Sequence, residues 1–239
     1  MKLIFFILQI ALLMFYPFHN FAQDAPTMSG VPRQYQSTLY TFQKVKKLLN
    51  NQEKEFSIPF EDIKGSPYLN KNFTKGKLYI NDSLIEENYF RYNIYSDEIE
   101  INENGQLFGL LKIPQTKLIL DEKVIALKNF ANNKSYFLVI YDQNNITLIQ
   151  RKRCKLTPAQ KASTPNQMDR AAKFTIYEDY YIKLNKNESF RELKLNKKSI
   201  LKALYDKKKQ IQAFLKNEEI DLDNESDVLR VLEFYASID

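Results

Sequence analysis

Residues 88–113 read NYFRYNIYSDEIEINENGQLFGLLKI, and this stretch holds the pattern that dominates the chain. Between 88 and 95, apolar and polar side chains alternate, so that they fall on opposite faces of a strand. The apolar face is Phe90, Tyr92 and Ile94, and the polar face is Arg91 and Asn93. Two further β-favouring runs, 97–101 and 107–113, flank a turn that contains Asn and Gly. The stretch therefore predicts three consecutive antiparallel strands.

Runs of the same kind precede and follow this stretch, and turns rich in Asn separate them. They are 76–80, 117–120, 123–130, 135–141 and 146–156. Short strands joined by Asn/Gly turns are typical of an antiparallel meander. Residues 135–141 are apolar on both faces, which predicts a strand that is covered on each side.

A further run at 174–184 also alternates between apolar and polar residues. Its predicted inner face is Phe174, Ile176, Tyr180, Ile182 and Leu184. Between this run and the preceding one, residues 157–172 form a long polar segment with two prolines, in which a helical turn is predicted from Pro165 to Ala172. Loops of this length inside a compact domain are either mobile or functional.

From residue 196 onward the apolar period changes from two to three and four, which predicts helices. Asn196 and Asn224 are suitable N-caps, and Asp227 follows at the third helical position of the last helix. The apolar stripes are Ile200, Leu201, Leu204 and Tyr205, then Ile211, Phe214 and Leu215, then Val228, Val231, Leu232, Tyr235 and Ile238. Such stripes indicate helices that lie on an apolar surface, here the sheet.

Near the other end, apolar residues at 39, 42, 45 and 49 predict a helix over 35–49, with a strand through 37–45 as the alternative. The fold class is therefore α+β. We expect a curved antiparallel β-sheet or a partly closed barrel, with an N-terminal helix and C-terminal helices packed on it. No linker or internal repeat interrupts residues 35–239, which predicts a single domain with strands over about 56–195 and helices over about 196–239.

Residues 1–22 have the layout of a secretory signal peptide: Lys2, then an apolar run from Leu3 to Phe18, then the small residue Ala22. A retained membrane anchor is the alternative, but the run is shorter than a bilayer span and contains Gln9 and Pro17. We expect cleavage before Gln23, a flexible leader over 23–34, and a periplasmic or secreted protein without a transmembrane span.

The composition excludes several kinds of site. The single histidine, His19, lies within the signal segment, which leaves the mature protein without Ser–His–Asp, Cys–His or imidazole-based zinc sites. Cys154 is the only cysteine, so no internal disulfide can form. The net charge of +6 is modest for 239 residues, and it predicts no nucleic-acid partner. We expect no catalytic, cofactor-binding or metal-binding residues.

Carboxylates are the remaining groups able to act as acid and base. Glu98 and Glu100 lie on one face of a strand, at a spacing suited to glycosidase-type acid–base chemistry. The favoured interpretation is instead a solvated outer face of an edge strand, opposite Ile99 and Ile101. Glu178 and Asp179 allow the same two interpretations.

Cys154 lies in the basic strand Arg151–Lys155, where flanking cations would favour the thiolate. The alternation groups it instead with Leu148 and Leu156, and we interpret it as a packed side chain. Other basic clusters occur at Lys44/Lys46/Lys47, Lys197/Lys198 and Lys207–Lys209. Each has acidic neighbours or lies on the polar side of a helix, which predicts solvated faces rather than a nucleic-acid or lipid surface.

The two most distinctive segments are GSPYLN at 65–70 and RYNIY at 91–95. Gly65 and Pro67 predict a turn that brings Tyr68 and Leu69 to the edge of the core. Together with the helical segments 201–215 and 228–235, these segments resemble small exported proteins of unknown function from Gram-negative bacteria. The resemblance implies export and a β-rich body with a helical tail, and it assigns no catalytic residue.

These observations predict a non-catalytic protein of the cell envelope that binds or scaffolds an apolar ligand or an envelope protein, with the partner itself unknown. Helices set against a curved sheet can leave a cavity lined by Tyr and Phe, although this argument rests on fold analogy. A carboxylate-dependent hydrolase acting on envelope polysaccharide is one alternative. An interaction module that docks on an outer-membrane protein is another.

Overall fold

The computed structural model describes residues 46–48, 62–130, 133–164, 166 and 168–238. Over these residues, eleven strands form one antiparallel sheet, of which the first has only three residues. The strands are β1 Lys46–Leu48, β2 Thr74–Ile80, β3 Ser83–Asn93, β4 Glu98–Glu103, β5 Gln106–Leu110, β6 Thr116–Leu120, β7 Lys123–Phe130, β8 Asn133–Gln143, β9 Ile146–Thr157, β10 Lys173–Lys183 and β11 Arg191–Leu193.

The strand order across the sheet is β1-β5-β4-β3-β2-β6-β7-β8-β9-β10-β11. Two meanders, β2–β5 and β6–β11, meet where β2 pairs with β6. No pairing joins the edge strands β1 and β11 in the described part of the chain, so the sheet is open. The antiparallel sheet with helices is confirmed, and the predicted barrel is not observed.

The tight turns explain why neighbouring strands pair in this order. Four of them place two consecutive residues at positive φ, as in the type I′ turns that suit the right-handed twist of a hairpin. They are Asn81-Asp82, Asn104-Gly105, Asp121-Glu122 and Asn144-Asn145. Asn and Gly adopt this backbone region most easily, so the Asn-rich sequence supports the meander directly.

The alternation predicted around residue 90 is confirmed. Phe90, Tyr92 and Ile94 are at most 3% exposed and belong to an apolar core that collects side chains from β2 to β8. In this core the Tyr92 ring of β3 meets the Tyr136 ring of β8 edge to face, with ring centroids 5.9 Å apart, although three strands lie between β3 and β8 in the sheet. Residues 135–138 are all buried, which confirms a strand covered on both faces.

A second apolar core lies between the end of the sheet and the C-terminal helices α1 Lys197–Ala203, α2 Lys208–Asn217 and α3 Glu225–Ser237. Asn196 and Asn224 are the N-caps, and their side chains accept hydrogen bonds from the backbone N–H groups of Ser199 and Ser226. Within α3, Val228, Val231 and Leu232 are at most 1% exposed and cover β8–β11 together with the other helices. The predicted helical layer is confirmed, except that Tyr205 is 73% exposed and does not join it.

One local prediction differs from the structure, and a second falls mostly outside the described residues. Residues 168–172 are extended rather than helical, because Arg170 pairs with Gln160 and the polar segment continues the β9–β10 hairpin. The predicted N-terminal helix at 35–49 lies outside the described residues, except for Lys46–Leu48, which form strand β1 beside β5. Among the described helices, none has the length and apolar character needed to cross a membrane.

Candidate functional site

The GSPYLN segment lies within a short irregular stretch, residues 63–69, that we call the strap. At its start, Lys64 pairs with the first residues of β10, donating its N–H to Ala172 and accepting the N–H of Phe174. At its end, Leu69 N–H donates to the Tyr92 carbonyl, and Pro67 O accepts from Ile94 N–H. The strap therefore connects β10 to the end of β3.

The turn predicted at Gly65 and Pro67 is confirmed, and it depends on the glycine. Gly65 has a φ of +89°, and a Cβ at this position would lie 2.7 Å from the carbonyl oxygen of Phe174. The Ser66 hydroxyl accepts the N–H of Tyr68 and tightens the turn. As expected, Leu69 reaches the first core, and Tyr68 packs in a small cluster with Ile63 and Phe174.

The strap and the loop that follows it cover the polar face of β3 and β4. On that face the Arg91 guanidinium donates two hydrogen bonds to Oε2 of Glu100, at 2.9 and 2.6 Å, and the Asn93 amide donates to Oε1 at 2.8 Å. The guanidinium lies 3.7 Å from the ring centroid of Tyr68 and 4.4 Å from that of Phe73. The two segments singled out by sequence thus meet, and we call the region formed by the strap, Phe73, Arg91, Asn93 and Glu100 the strap corner.

The interpretation of Glu98 and Glu100 as a solvated face of an edge strand is wrong. Strand β4 lies between β3 and β5, so it is not an edge strand, and Glu100 is only 2% exposed. Its two carboxylate oxygens are occupied by Arg91 and Asn93. A buried carboxylate held in this way stabilises the corner and has no oxygen directed at a substrate.

A second polar group holds β3 against β8. The Asp97 carboxylate accepts hydrogen bonds from the Tyr92 hydroxyl at 2.9 Å and from the Tyr136 N–H at 3.2 Å, and it forms an ion pair with Lys112. Burial, reinforced by Asp97, raises the pKa of both tyrosines well above the ordinary value. Both hydroxyls are therefore protonated at physiological pH, and the Tyr92 hydroxyl acts as a donor.

Cys154 is a packed side chain, as interpreted from the alternation. It contacts the first core and the cluster that contains Leu156, whereas Leu148 lies farther along the same face in the second core. Burial raises the pKa of the Cys154 thiol to about 11, so the flanking cations do not produce a thiolate. The neighbouring cations are paired across the hairpin, Lys152 with Glu178 and Arg153 with Asp179.

A polar cluster lies on the inner face of β9 and β10, between the second core and the cluster that contains Leu156 and Phe174. The buried Gln150 amide donates to Oη of Tyr180 at 2.6 Å and to Oε2 of Glu178 at 3.1 Å. Tyr180 in turn donates to Oε2 of Glu225, the first residue of α3, at 2.9 Å. Lys152 forms an ion pair with Glu178 at the same place. Burial and the hydrogen bond to Glu225 raise the pKa of Tyr180, which keeps this donor protonated.

This cluster brings together Glu178 and Glu225, two carboxylates that share the donors Gln150 and Tyr180. The sequence singled out Glu178, but it paired that residue with Asp179, which lies on the opposite face of β10 and binds Arg153. Glu225 was missed, because only the docking of α3 on the sheet brings it near Glu178. Its position in the first turn of a helix was the one available signal.

The face of β10 predicted to be inner contains one exception. Phe174 and Ile182 are buried on that face, whereas Ile176 is 39% exposed. The prediction that Ile176 is part of the core is therefore wrong.

Beyond Glu178, toward β11, lies a pocket of about 420 Å³. It is lined by Glu178, Asp179, Tyr180, Glu192, Leu193, Lys194, Leu195 and Asp223.

In the described ranges, no group of three or more His, Cys, Asp or Glu residues is arranged to hold a metal ion. The site that the geometry singles out is the acidic pocket beside β10, next to the cluster of Glu178 and Glu225. No protein-family model, curated protein or solved structure matches this chain.

Proposed function

We propose that the chain is an exported, non-catalytic protein of the cell envelope that binds or scaffolds a partner. The observation that carries this proposal is that the reactive groups singled out by sequence are already hydrogen-bonded or packed within the fold. Glu100 is held by Arg91 and Asn93, and the Cys154 thiol is half-buried, with its pKa raised to about 11. A carboxylate whose two oxygens are both hydrogen-bonded and a thiol that stays protonated serve packing and orientation rather than turnover.

Export rests on the sequence of residues 1–22, which lie outside the described residues. Their basic, apolar and small-residue order is that of a cleavable signal, which supports a periplasmic or secreted location. The resemblance to small exported proteins points the same way and stays a prediction.

The contacts across the sheet support a curved shape for the binding body. Adjacent strands are about 4.8 Å apart, so a flat sheet would separate β3 and β8 by roughly 19 Å. The Tyr92 and Tyr136 rings are instead 5.9 Å apart between centroids. Tyr92 and Tyr136 are packed inside this core. Of three pockets of about 420–430 Å³, two have mainly polar linings, and the third is lined about equally by polar and apolar groups. These features favour a polar partner over an apolar ligand.

A carboxylate-dependent hydrolase acting on envelope polysaccharide remains the second candidate, on different residues from those the sequence suggested. The observation that favours it is the pair Glu178 and Glu225, whose carboxylates share the donors Gln150 and Tyr180. Two carboxylates flanking a sugar bond are what glycoside hydrolysis needs. Against this candidate, Glu178 already forms an ion pair with Lys152, and Glu225 accepts the hydrogen bond from Tyr180 that joins α3 to the sheet.

Two measurements on the exported protein separate the candidates. The first is release of reducing ends from peptidoglycan and from outer-envelope polysaccharide, compared between the natural protein and a Glu178→Gln variant. We expect the same background rate from both. The second is native mass spectrometry of the protein recovered from the envelope, in which a binding protein retains a stoichiometric partner. Hydrolysis that disappears in Glu178→Gln, with unchanged thermal melting, would establish the hydrolase instead.

A further inference from the structure

Strand β10 is paired unevenly on its two sides. It pairs with β9 along its whole length, from Lys173 to Lys183. On its other side the strap pairs beside Lys173, and β11 pairs with residues 180–182. Among the described residues, no strand pairs with residues 175–179 on that side. We call this stretch the bare edge. It is roughly 17 Å long at about 3.3 Å per residue.

The backbone groups that point out of the bare edge can be identified from the strap. Phe174 N–H donates to Lys64 O at 2.8 Å, and Ala172 O accepts from Lys64 N–H at 3.0 Å. Alternate residues of a strand direct their N–H and C=O groups to the same side. Ile176 and Glu178 therefore present two donors and two acceptors at the bare edge, and none of these bonds to another described backbone group.

The side chains of the bare edge are also unusually open for the middle of a long strand. Ile176 is 39% exposed on one face, and Tyr177 is 48% exposed on the other. Proteins usually protect an exposed edge with charges, proline, a bulge or a covering segment, because such an edge pairs readily with other chains. Here the ends of the strand are covered, and at its centre the exposed side chains of Ile176 and Tyr177 lie beside Glu178 and Asp179, whose charges are paired with β9.

The acidic pocket at the end of the bare edge adds a charge preference. Four of the residues that line it carry carboxylates, and Lys194 is the single cation among them. Glu178 and Asp179 are neutralised by Lys152 and Arg153. Neither Glu192 nor Asp223 forms an ion pair with any described residue. The pocket therefore presents uncompensated negative charge beside an unpaired strand edge.

We propose that the bare edge binds an extended peptide segment of a partner protein by strand addition, and that a lysine or arginine of this segment enters the acidic pocket beside Glu192 and Asp223. Main-chain hydrogen bonds to Ile176 and Glu178 hold such a segment, and the pocket selects its charge. The inference names the partner class of the binding function proposed above and rests on that function.

A second copy of the chain fits the bare edge less well than a separate peptide. If two copies paired edge to edge, the strap and β11 of each copy would crowd the bare edge of the other. Such pairing would also place two acidic pockets close together, and like charges juxtaposed in an interface oppose association. A segment that is extended over about five residues and departs from the sheet at both ends avoids both problems.

The test uses selection from a displayed library of linear twelve-residue peptides on the exported protein, followed by synthesis of the enriched peptides. We expect enrichment of sequences that alternate β-branched residues with others and carry a lysine or arginine at a fixed position. The enriched peptides should protect the Ile176 and Glu178 amides from hydrogen exchange. Absence of enriched peptides, or protection confined to other parts of the chain, would overturn the proposal.

Two variants distinguish strand addition from side-chain docking. Ile176→Pro removes the outward N–H without removing a hydrogen bond to β9, since proline is tolerated where an edge N–H faces solvent. Ile176→Thr is the matched control, because it changes the side chain and keeps the N–H. We expect Ile176→Pro to weaken peptide binding about tenfold or more relative to Ile176→Thr. Equal binding by two variants that melt cooperatively would contradict strand addition.

A double variant tests the preference of the acidic pocket for a basic residue. In the double variant Glu192→Gln/Asp223→Asn, the peptides should bind with little dependence on their basic residue, while the protection of Ile176 is kept. A basic preference that persists in this variant would overturn the assignment of the pocket.

A dimer that Ile176→Pro dissociates would show that the occupant is a second copy. Hydrolysis lost in Glu178→Gln would refute the binding function itself, whatever the peptide result.

Discussion

The sheet is covered in two different ways at the strap corner and at the helical layer. At the helical layer, three amphipathic helices bury aliphatic side chains against β8–β11, and many combinations of such side chains would fill the same space. At the strap corner, one irregular segment covers an arginine and a glutamate whose partners are fixed atom by atom. The stability of the helical layer therefore depends on the total apolar area that it buries, whereas the stability of the strap corner depends on individual residues.

Removing the last helix should have the largest effect and tests the dependence on area. Deletion of residues 224–239 exposes the surface that Val228, Val231 and Leu232 cover, each at most 1% exposed. Full burial of a side chain of this kind contributes about 1.5–3 kcal/mol, so the loss is roughly 5–9 kcal/mol. We expect the truncated chain to lose its cooperative urea transition. A transition like that of the full chain would make α3 an accessory element.

Within the helical layer, a single deletion should be milder. Leu232→Ala removes part of one buried side chain and should lower the free energy of unfolding by about 2–5 kcal/mol while keeping a cooperative transition. The same truncation at Leu229, which is only partly buried in that layer, is the matched control and should cost less. Equal costs measured by urea denaturation would show that the layer is not packed as described.

At the strap corner, removing one carboxylate should cost as much as removing a core side chain. In Glu100→Ala, Arg91 remains covered by Tyr68 and Phe73 without its anion, and breaking a buried pair in this way costs about 3–5 kcal/mol. The exposed pair Lys77–Glu87 in β2 and β3 provides the control, because Glu87→Ala should cost less than about 1 kcal/mol. Similar midpoints in urea for the two variants would contradict the structural role of Glu100.

The turn of the strap should be sensitive to a single methyl group. Gly65 and Gly105 both have positive φ, at +89° and +82°, but an added Cβ meets the Phe174 carbonyl only at Gly65. Gly105→Ala should therefore report the backbone strain alone, about 1 kcal/mol, and Gly65→Ala should cost about 2–3 kcal/mol or more. Thermal melting of the two variants isolates the contact with β10. Equal shifts would show that the strap does not need its close approach.

The smallest effect concerns the Cys154 thiol, which packs against the first core and the cluster of Ile63, Ala172 and Phe174. Since the pKa of Cys154 is raised to about 11 in the folded protein, its alkylation by iodoacetamide should be slow at pH 8 and should rise only as the pH approaches 11. In urea the rate should rise near pH 9. The sign follows from burial: the protonated form is favoured in the fold, so this contribution to stability is present below pH 9 and is lost toward pH 11. A fast reaction at neutral pH would contradict the packed thiol.

The contrast between the two regions also separates what the sequence can predict from what it cannot. The helical layer was predicted with its caps at Asn196 and Asn224, because apolar period and capping are local properties of the chain. The strands were predicted for the same reason, since the alternation around Phe90 needs no knowledge of distant residues. The segments at 65–70 and 91–95 were recognised as distinctive, yet their mutual contact was not predicted.

The errors at Glu100, Ile176 and Glu225 involve long-range neighbours. The sequence predicts a solvated face for Glu100 because its partners Arg91 and Asn93 lie on the neighbouring strand, and no pattern near residue 100 indicates that Tyr68 of the strap packs on that arginine. Ile176 was assigned to the core because it has the right period, whereas its exposure follows from the interval between the strap and β11. The approach of Glu225 to Glu178 depends on how α3 docks. Periodicity identifies the face on which a side chain lies, but only the assembled sheet determines what covers it.

The strap has a consequence for how the chain reaches its folded state. Lys64 and its partners at the start of β10 are far apart in sequence, and contacts of this kind form late, because closing a long loop costs entropy before any contact is gained. During synthesis, Lys64 also leaves the ribosome long before Ala172 and Phe174 do. The pairing of Lys64 with β10 must therefore wait, whereas Pro67 and Leu69 bond to Ile94 and Tyr92, which lie much nearer in the sequence. In refolding experiments, protection of the Phe174 amide should consequently appear after protection of the β6–β9 hairpins.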